Sequence, residues 1–182
     1  MPRIPYAQFD EVADRVRDAL AGRRRINIFK MIAKAENCAP EVLALGHRMS
    51  RGSTLPPLER EVVILRVAHL LGASYQWHEH QAVAARVGLP TSTVDAIAVY
   101  PDIGAGALTD RQVALLDFTD AVVTTTTAPQ ELFDAVRAGY TDSQLVELVL
   151  IIGFYGMVGR VMNTFEIELE SGDPGTFEPT AG

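Results

Sequence analysis

Cysteine is nearly absent from this chain: of 182 residues, only Cys38 carries a thiol. A lone cysteine excludes a disulfide framework, a cysteine-based zinc site and an intramolecular dithiol couple. Positive charge is also scarce, with 16 Lys and Arg against 23 Asp and Glu and a formal net charge of −7. That balance argues against a general nucleic-acid binder, which presents a basic surface. The Arg23-Arg24-Arg25 run reads as a solvated helix flank. Long apolar runs are missing too. The longest, Leu148 to Gly159, spans twelve residues between Glu147 and Arg160, whereas a membrane-spanning helix needs about twenty. The opening Met1-Pro2-Arg3-Ile4-Pro5 lacks an apolar stretch of signal-peptide type. These absences lead to the expectation of a cytoplasmic protein with neither membrane nor nucleic acid as partner. What the chain does have is apolar bulk, 48% hydrophobic residues, enough for one folded domain with a full core.

The apolar residues recur at helical spacing, and no convincing period-two strand appears, so the expected class is all-α. Phe9, Ala13, Val16 and Leu20 form one stripe, and a second apolar segment runs from Ile26 to about Ala35. Pro40 suits the first turn of a short helix, and Pro56-Pro57 open another from Leu58 to Leu71, stopped by Gly72. A helix from Ser74 to Val87 closes at Gly88. Thr109 with Gln112, and Thr141 with Gln144, have capping-box spacing. The Thr124–Thr127 run predicts a break before Pro129, and the last helix starts after Thr141 and passes Met162. Gly153, Gly156 and Gly159 cost that helix roughly 1 kcal/mol each in propensity, which suggests close helix or subunit contact there. Residues 171–182 read as a loosely held tail.

Shifting the sequence by 51 residues superposes Arg60 on Arg111, Val62 on Val113, Leu65 on Leu116, Ala84 on Ala135, Arg86 on Arg137, Gly88 on Gly139 and Ser92 on Ser143. The expectation is an internal two-fold repeat, with helical units at 58–98 and 109–170 behind N-terminal helices at 1–57. Under that shift Glu61 faces Gln112 and His80 faces Glu131, so only the first copy holds an acid with an imidazole.

Ala73, Gln76, His80, Val83 and Val87 share one helix face whose apolar members point inward. Glu61 lies eleven positions before Gly72 and His80 eight after it. In an antiparallel hairpin their heights then differ by only about 4–5 Å. A carboxylate beside an imidazole can orient it and fix its tautomer, making a proton shuttle; the same pair can be a structural hydrogen bond inside a helical hairpin, and periodicity alone favours that reading. Tyr75 offers a phenolic proton and Trp77 an apolar wall. His78 and His80, two apart, lack the i, i+4 spacing of a helical metal site. His69 suits a helix-end cation as well as a ligand. No phosphate-cradling loop or dinucleotide fingerprint appears. The expectation is neither metal nor cofactor.

The stretch EVVILRVAHLLGASYQWHEHQAVAARVG, Glu61 to Gly88, resembles the carboxymuconolactone decarboxylase and alkyl hydroperoxidase D-like superfamily, and LVELVLIIGFYGMVGRVMNTFEIELE is similar to its closing helix. The resemblance spans roughly Asn27 to Glu170, with the specific motif confined to Glu61–Gly88. It implies an alkyl hydroperoxidase D-like helical bundle and a homo-oligomer, often a trimer or hexamer. The hydroperoxidase branch places cysteines where this chain has Ala73 and Gln76; the acid and the imidazole match, while both thiols are missing. Cys38 lies outside the motif. The decarboxylase branch implies cofactor-independent acid–base chemistry on a small carboxylated lactone. His80 would then be the proton donor or acceptor, Glu61 its orienter, and Tyr75 or Gln76 a donor to oxyanion charge. Arg66 and Arg160 are the candidate cations for an anionic substrate, and each can also be a structural ion pair. An oxidoreductase by ancestry and a non-catalytic small-molecule binder stand as alternatives.

Overall fold

The structure, a computed structural model, describes residues 1–170; the tail expected over 171–182 lies outside them. Among the described residues there are helices and no strands. In order they are α1 (Asp14–Leu20), α2 (Asn27–Ile32), α3 (Ala39–Arg51), α4 (Pro57–Leu70), α5 (Ser74–Val87), α6 (Thr91–Val99), α7 (Asp110–Thr125), α8 (Gln130–Arg137) and α9 (Asp142–Phe165). The chain divides into two compact units. One comprises Met1–Gly52 with the chain from Thr164 onward, and the other Ser53–Asn163.

In the first unit, α1 and α2 pack on α3. Val16, Leu20, Ala33, Ala39 and Leu43 form its core, with Phe9 against it. Pro40 sits in the opening turn of α3, as its sequence predicts, but the helix runs on through Arg51 rather than stopping short. Asn27 ties this unit to its own C-terminal strand of chain, donating from its side chain to the Glu168 carbonyl at 3.0 Å.

The second unit is organised around α4, which packs on α5, α6 and α7. Every residue from Arg60 to Ala68 is buried, the signature of a helix surrounded on all sides. Gly72 and Gly88, both at positive φ, end α4 and α5, where a Cβ would be strained. Thr109 and Gln112 make the expected reciprocal capping box, and Thr141 and Gln144 exchange the same bonds at the start of α9. The threonine run ends α7, with Thr126 in the left-handed region at φ 64. The shift of 51 carries α4, α5 and α6 onto the stretches occupied by α7, α8 and the start of α9. A distinct α6, which the sequence reading had not separated out, follows Pro90.

Arg66, a candidate for substrate binding, is occupied elsewhere. It donates to both carboxylate oxygens of Asp120 at 2.6 Å and to the carbonyls of Ile97 and Tyr100 at 3.1 and 3.2 Å. The guanidinium also lies over the Tyr100 ring. One side chain thus joins α4 to α7 and to the end of α6, with its donors committed to protein acceptors. His69, at the end of α4, is pushed below its ordinary 6.5 by partial burial and by the Arg66 charge.

By length and composition α9 could cross a membrane, yet half of that stretch is buried in the fold. Its polar residues bind within the unit. Asn163 donates to the Leu71 carbonyl at 2.7 Å, and Glu147 accepts from the Ser53 hydroxyl at 2.9 Å and the Thr54 N–H at 2.8 Å. Of the three α9 glycines only Gly159 marks a close approach, a Cβ there meeting Leu71, Ala73 and Gln76 at 3.3–3.4 Å. Gly153 faces open space, and Gly156 meets only the Arg160 side chain.

Two stability tests follow from this packing. Arg66→Met is expected to lower urea-unfolding stability by about 2–3 kcal/mol, below the fully buried range because Asp120 keeps 29% exposure; a loss under about 0.5 kcal/mol would show the network to be dispensable. Burial raises the Glu147 carboxyl, but the Thr54 and Ser53 hydrogen bonds outweigh it and hold the group below its ordinary 4.5. The native state therefore binds this proton less readily than the unfolded chain. Stability lost in Glu147→Gln relative to the unmodified chain should be fully present above pH 4.5 and shrink as pH falls below it, read from paired urea titrations; a pH-independent difference would contradict the assignment.

Candidate active site

α4 and α5 form the hairpin that the glycine at position 72 permits, and its register brings Glu61 and His80 together. His80 Nδ1 lies 2.8 Å from Glu61 Oε2. Glu61 is 2% exposed, whereas the His80 side chain keeps 16%. An acceptor-only carboxylate at Nδ1 selects the Nδ1–H tautomer and leaves Nε2 as a free acceptor. The site therefore has a sealed inner carboxylate and a proton-accepting nitrogen on the outer edge of the ring.

Two further residues complete it, neither singled out by the sequence reading. Tyr155 of α9 sets its ring edge-on to His80, with centroids 5.0 Å apart and planes at 90°. Its phenol is pushed up by burial and by the negative charge of Glu61, with the Arg60 charge opposing, so it remains protonated at neutral pH. Arg60 precedes Glu61 on α4, and its Nε stands 3.5 Å from Glu61 Oε1. A helical-spacing signal for Tyr155 existed in the sequence: it lies on the same apolar face as Leu148, Ile151, Gly159 and Met162. For Arg60 the signal was its place directly before Glu61, at the start of the apolar run of α4.

The remaining predicted residues fall in different places. Gln76 lies one turn before His80 on the same face and is 1% exposed. Its Nε2 donates, at 3.4 Å, to the Ile64 carbonyl, while Oε1 has no hydrogen-bond partner and faces Gly159. The amide thus presents an acceptor, not the oxyanion donor expected from sequence. Turning it over would set two carbonyl oxygens against each other. Tyr75 is buried and lies about 140° around α5 from His80. Trp77 packs on the core of Val62, Leu65, Ala84 and Leu89, with its ring edge to His69 at 6.0 Å. Arg66 belongs to the α4–α7 network described above. Arg160 turns back along its own helix, donating to the Gly156 carbonyl at 2.8 Å. Among the described residues no three His, Cys, Asp or Glu side chains are grouped so as to hold a metal. Ala73 and Gln76 face Gly159 with no sulfur between them, and Cys38, in the first unit, is exposed.

No family profile matches the chain, and no curated protein does. Solved structures do. An uncharacterized peroxidase-related protein with an alkylhydroperoxidase AhpD core, from Ralstonia eutropha JMP134, is 23% identical with a TM-score of 0.76, over 93% of this chain and 92% of its own. A peroxidase-related protein from Silicibacter sp. TM1040 is 19% identical with a TM-score of 0.75, over 93% and 94%. The debrominase Bmp8 is 18% identical with a TM-score of 0.69, over 90% and 87%; a Cys→Ala variant of it has been crystallised with 2,3,4-tribromopyrrole. At such identities the likeness concerns architecture, and it extends over nearly the whole of both chains. The protein has the AhpD-like all-helical fold.

Proposed function

We propose that the chain is a cofactor-independent acid–base enzyme of carboxymuconolactone decarboxylase type, acting on a small carboxylated or lactone substrate. The observation that carries this reading is the 2.8 Å bond from a buried carboxylate to a partly exposed imidazole. The acid is sealed, while the imidazole keeps 16% of its side chain exposed and so remains within reach of a ligand. His80 Nε2 takes a proton from the substrate or from water, and the imidazolium so formed is stabilised by Glu61 at Nδ1. In a decarboxylation the carbon–carboxyl bond breaks, its electron pair passes into the conjugated carbonyl as an enolate, and carbon dioxide leaves. The enolate carbon then recovers that proton from imidazolium Nε2, which returns His80 to its neutral form.

The names of the structural neighbours suggest peroxide or dehalogenation chemistry as a second reading. The residues favour it less, since alanine and glutamine stand at the two thiol positions of the hydroperoxidase motif and neither forms a thiolate.

Assayed as carbon dioxide release from small carboxylated lactones, His80→Ala is expected to lower kcat by about 10²–10⁴. Glu61→Gln should lose nearly as much, because the amide no longer stabilises the imidazolium. Circular dichroism would check that both remain folded. Turnover at the unmodified rate in both variants would remove the acid–base assignment.

Self-association belongs to the same reading. Val146, Val149, Leu150 and Met157 leave an apolar strip along α9, each 41–60% exposed, with Gly153 open between them. A second copy of the chain is the occupant we assign, since uncharged strips of this kind are uncommon on free surfaces. Sedimentation velocity should give a species heavier than the 19.8 kDa monomer, and Val149→Glu with Leu150→Glu should return it toward one chain. A monomer in the unmodified protein would end this assignment.

A further inference from the structure

An anionic substrate needs a cation; Arg66 is committed to Asp120 and to two carbonyls, and Arg160 donates back to the Gly156 carbonyl of its own helix. Arg60 is the guanidinium left at the site, and its bonding is anomalous. Its side chain is 9% exposed, yet Nε is buried with no hydrogen-bond partner. Its one charged neighbour, Glu61 Oε1, stands at 3.5 Å without hydrogen-bond geometry, and the other oxygen of that carboxylate is held by His80. A guanidinium carries five N–H donors in a fixed fork, and leaving a buried donor unmatched costs free energy that native structures rarely tolerate without a ligand or an ordered water. Tyr155 sets its ring edge-on to His80 with centroids 5.0 Å apart, and its hydroxyl makes no hydrogen bond to the described residues.

Arg60 Nε thus lies against Glu61 and the Tyr155 ring against His80, at the two members of the couple. Gln76, one turn along α5 from His80, offers instead an unmatched acceptor, Oε1, which would repel an anion. We infer that Arg60 is the anion receptor of the site, with the Tyr155 hydroxyl as companion donor, and that the group received is a carboxylate of the ligand. The planar fork of Arg60 matches a carboxylate edge. The Glu61 carboxylate does not fill that role, because its Oε1 stands 3.5 Å from Nε without hydrogen-bond geometry. Bound there, the ligand's carboxylate would lie beside His80, so that its reacting atoms come within reach of Nε2. This inference rests on the acid–base reading for what happens next, though not for binding.

Binding can be tested without knowing the substrate. The probe is sodium acetate, with acetamide as the uncharged isostere and sodium chloride at matched ionic strength, followed through the His80 ring resonances and assigned by their loss in His80→Gln. Acetate is expected to give a saturable shift, and acetamide and chloride none. Arg60→Gln should weaken acetate by at least about tenfold, the scale of a charge-assisted hydrogen bond. Arg60→Lys, which keeps the charge but not the fork, should fall between, and Tyr155→Phe should weaken it severalfold. If Arg60→Gln does not fold, Arg60→Lys and Tyr155→Phe decide the matter: acetate affinity unchanged in both overturns the inference. So does a non-saturable response in the unmodified protein, or acetamide binding as well as acetate, either of which leaves water as the partner of Arg60. The two readings fail separately. Absent acetate binding with turnover still abolished in His80→Ala removes the receptor and leaves the acid–base chemistry; saturable acetate binding with full turnover in His80→Ala does the reverse.

Discussion

A carboxylate buried to 2% exposure constrains everything near it. Ionised and unpartnered, Glu61 would be too costly to keep inside a helical core. Its place on α4 is tenable because His80 donates to one oxygen and the Arg60 charge lies beside the other. Both neighbours are then fixed in turn. His80 can reach Glu61 only if α5 doubles back at Gly72, where positive φ gives the tight turn. Tyr155 can lie on His80 only if α9 approaches α5, and the missing side chain at Gly159 lets it come against Ala73 and Gln76. The contacts 76–159 and 80–155 are successive turns of two helices running in opposite directions. One buried charge thus accounts for the hairpin, the aromatic cover and the close α5–α9 contact.

What the sequence disclosed of this arrangement was local. The two capping boxes, the glycine stops at 72 and 88 and the break in the threonine run rest on neighbours within four residues, and they appear where the pattern places them. The Glu61–His80 pairing was also legible, because a short turn between helices fixes register by rise per residue alone. Arg66 shows where such reasoning stops. Its charge in an apolar helix reads as available for a ligand until Asp120, 54 residues away, is found within 2.6 Å. Tyr155 was hidden for the same reason: its partner sits on a helix that only the tertiary fold brings near. Gln76 lies on the face its spacing gives it, while the direction of its amide is set by the Ile64 carbonyl on the neighbouring helix, which local spacing does not disclose.

The shift of 51 residues offers a comparison internal to the chain. Arg60 and Arg111 occupy matching positions, and the second shows what a structural arginine looks like in this fold. Arg111 is bonded to both oxygens of Glu59 and to the Gly139 carbonyl, and it stacks on Tyr140 with its carbon 4.4 Å from the ring centre. Tyr140 in turn donates to Glu59. Even Gly139 is shaped to this purpose, because a Cβ there would lie 2.2 Å from Arg111 Nη1. Every partner that Arg111 has, Arg60 lacks. Glu59 serves the second arginine; the carboxylate beside the first is engaged by an imidazole; and the tyrosine near it, Tyr155, faces a ring instead of an acid.

That contrast bears on whether the orphan donors of Arg60 are a by-product of packing. The same backbone pattern demonstrably saturates an arginine when a carboxylate, a carbonyl and a phenol are supplied, so the fold imposes no deficit. The deficit arises because Glu61 Oε1 stands 3.5 Å from Arg60 Nε without hydrogen-bond geometry, while its other oxygen holds His80 and equips the imidazole to handle a proton. A carboxylate held in common by a base and a cation leaves each of them one bond short, the base at Nε2 and the cation along its fork. A molecule carrying both an acidic proton and an anionic group would satisfy the two deficits together, and its charge would complement the guanidinium as that of a water or a neutral ligand does not.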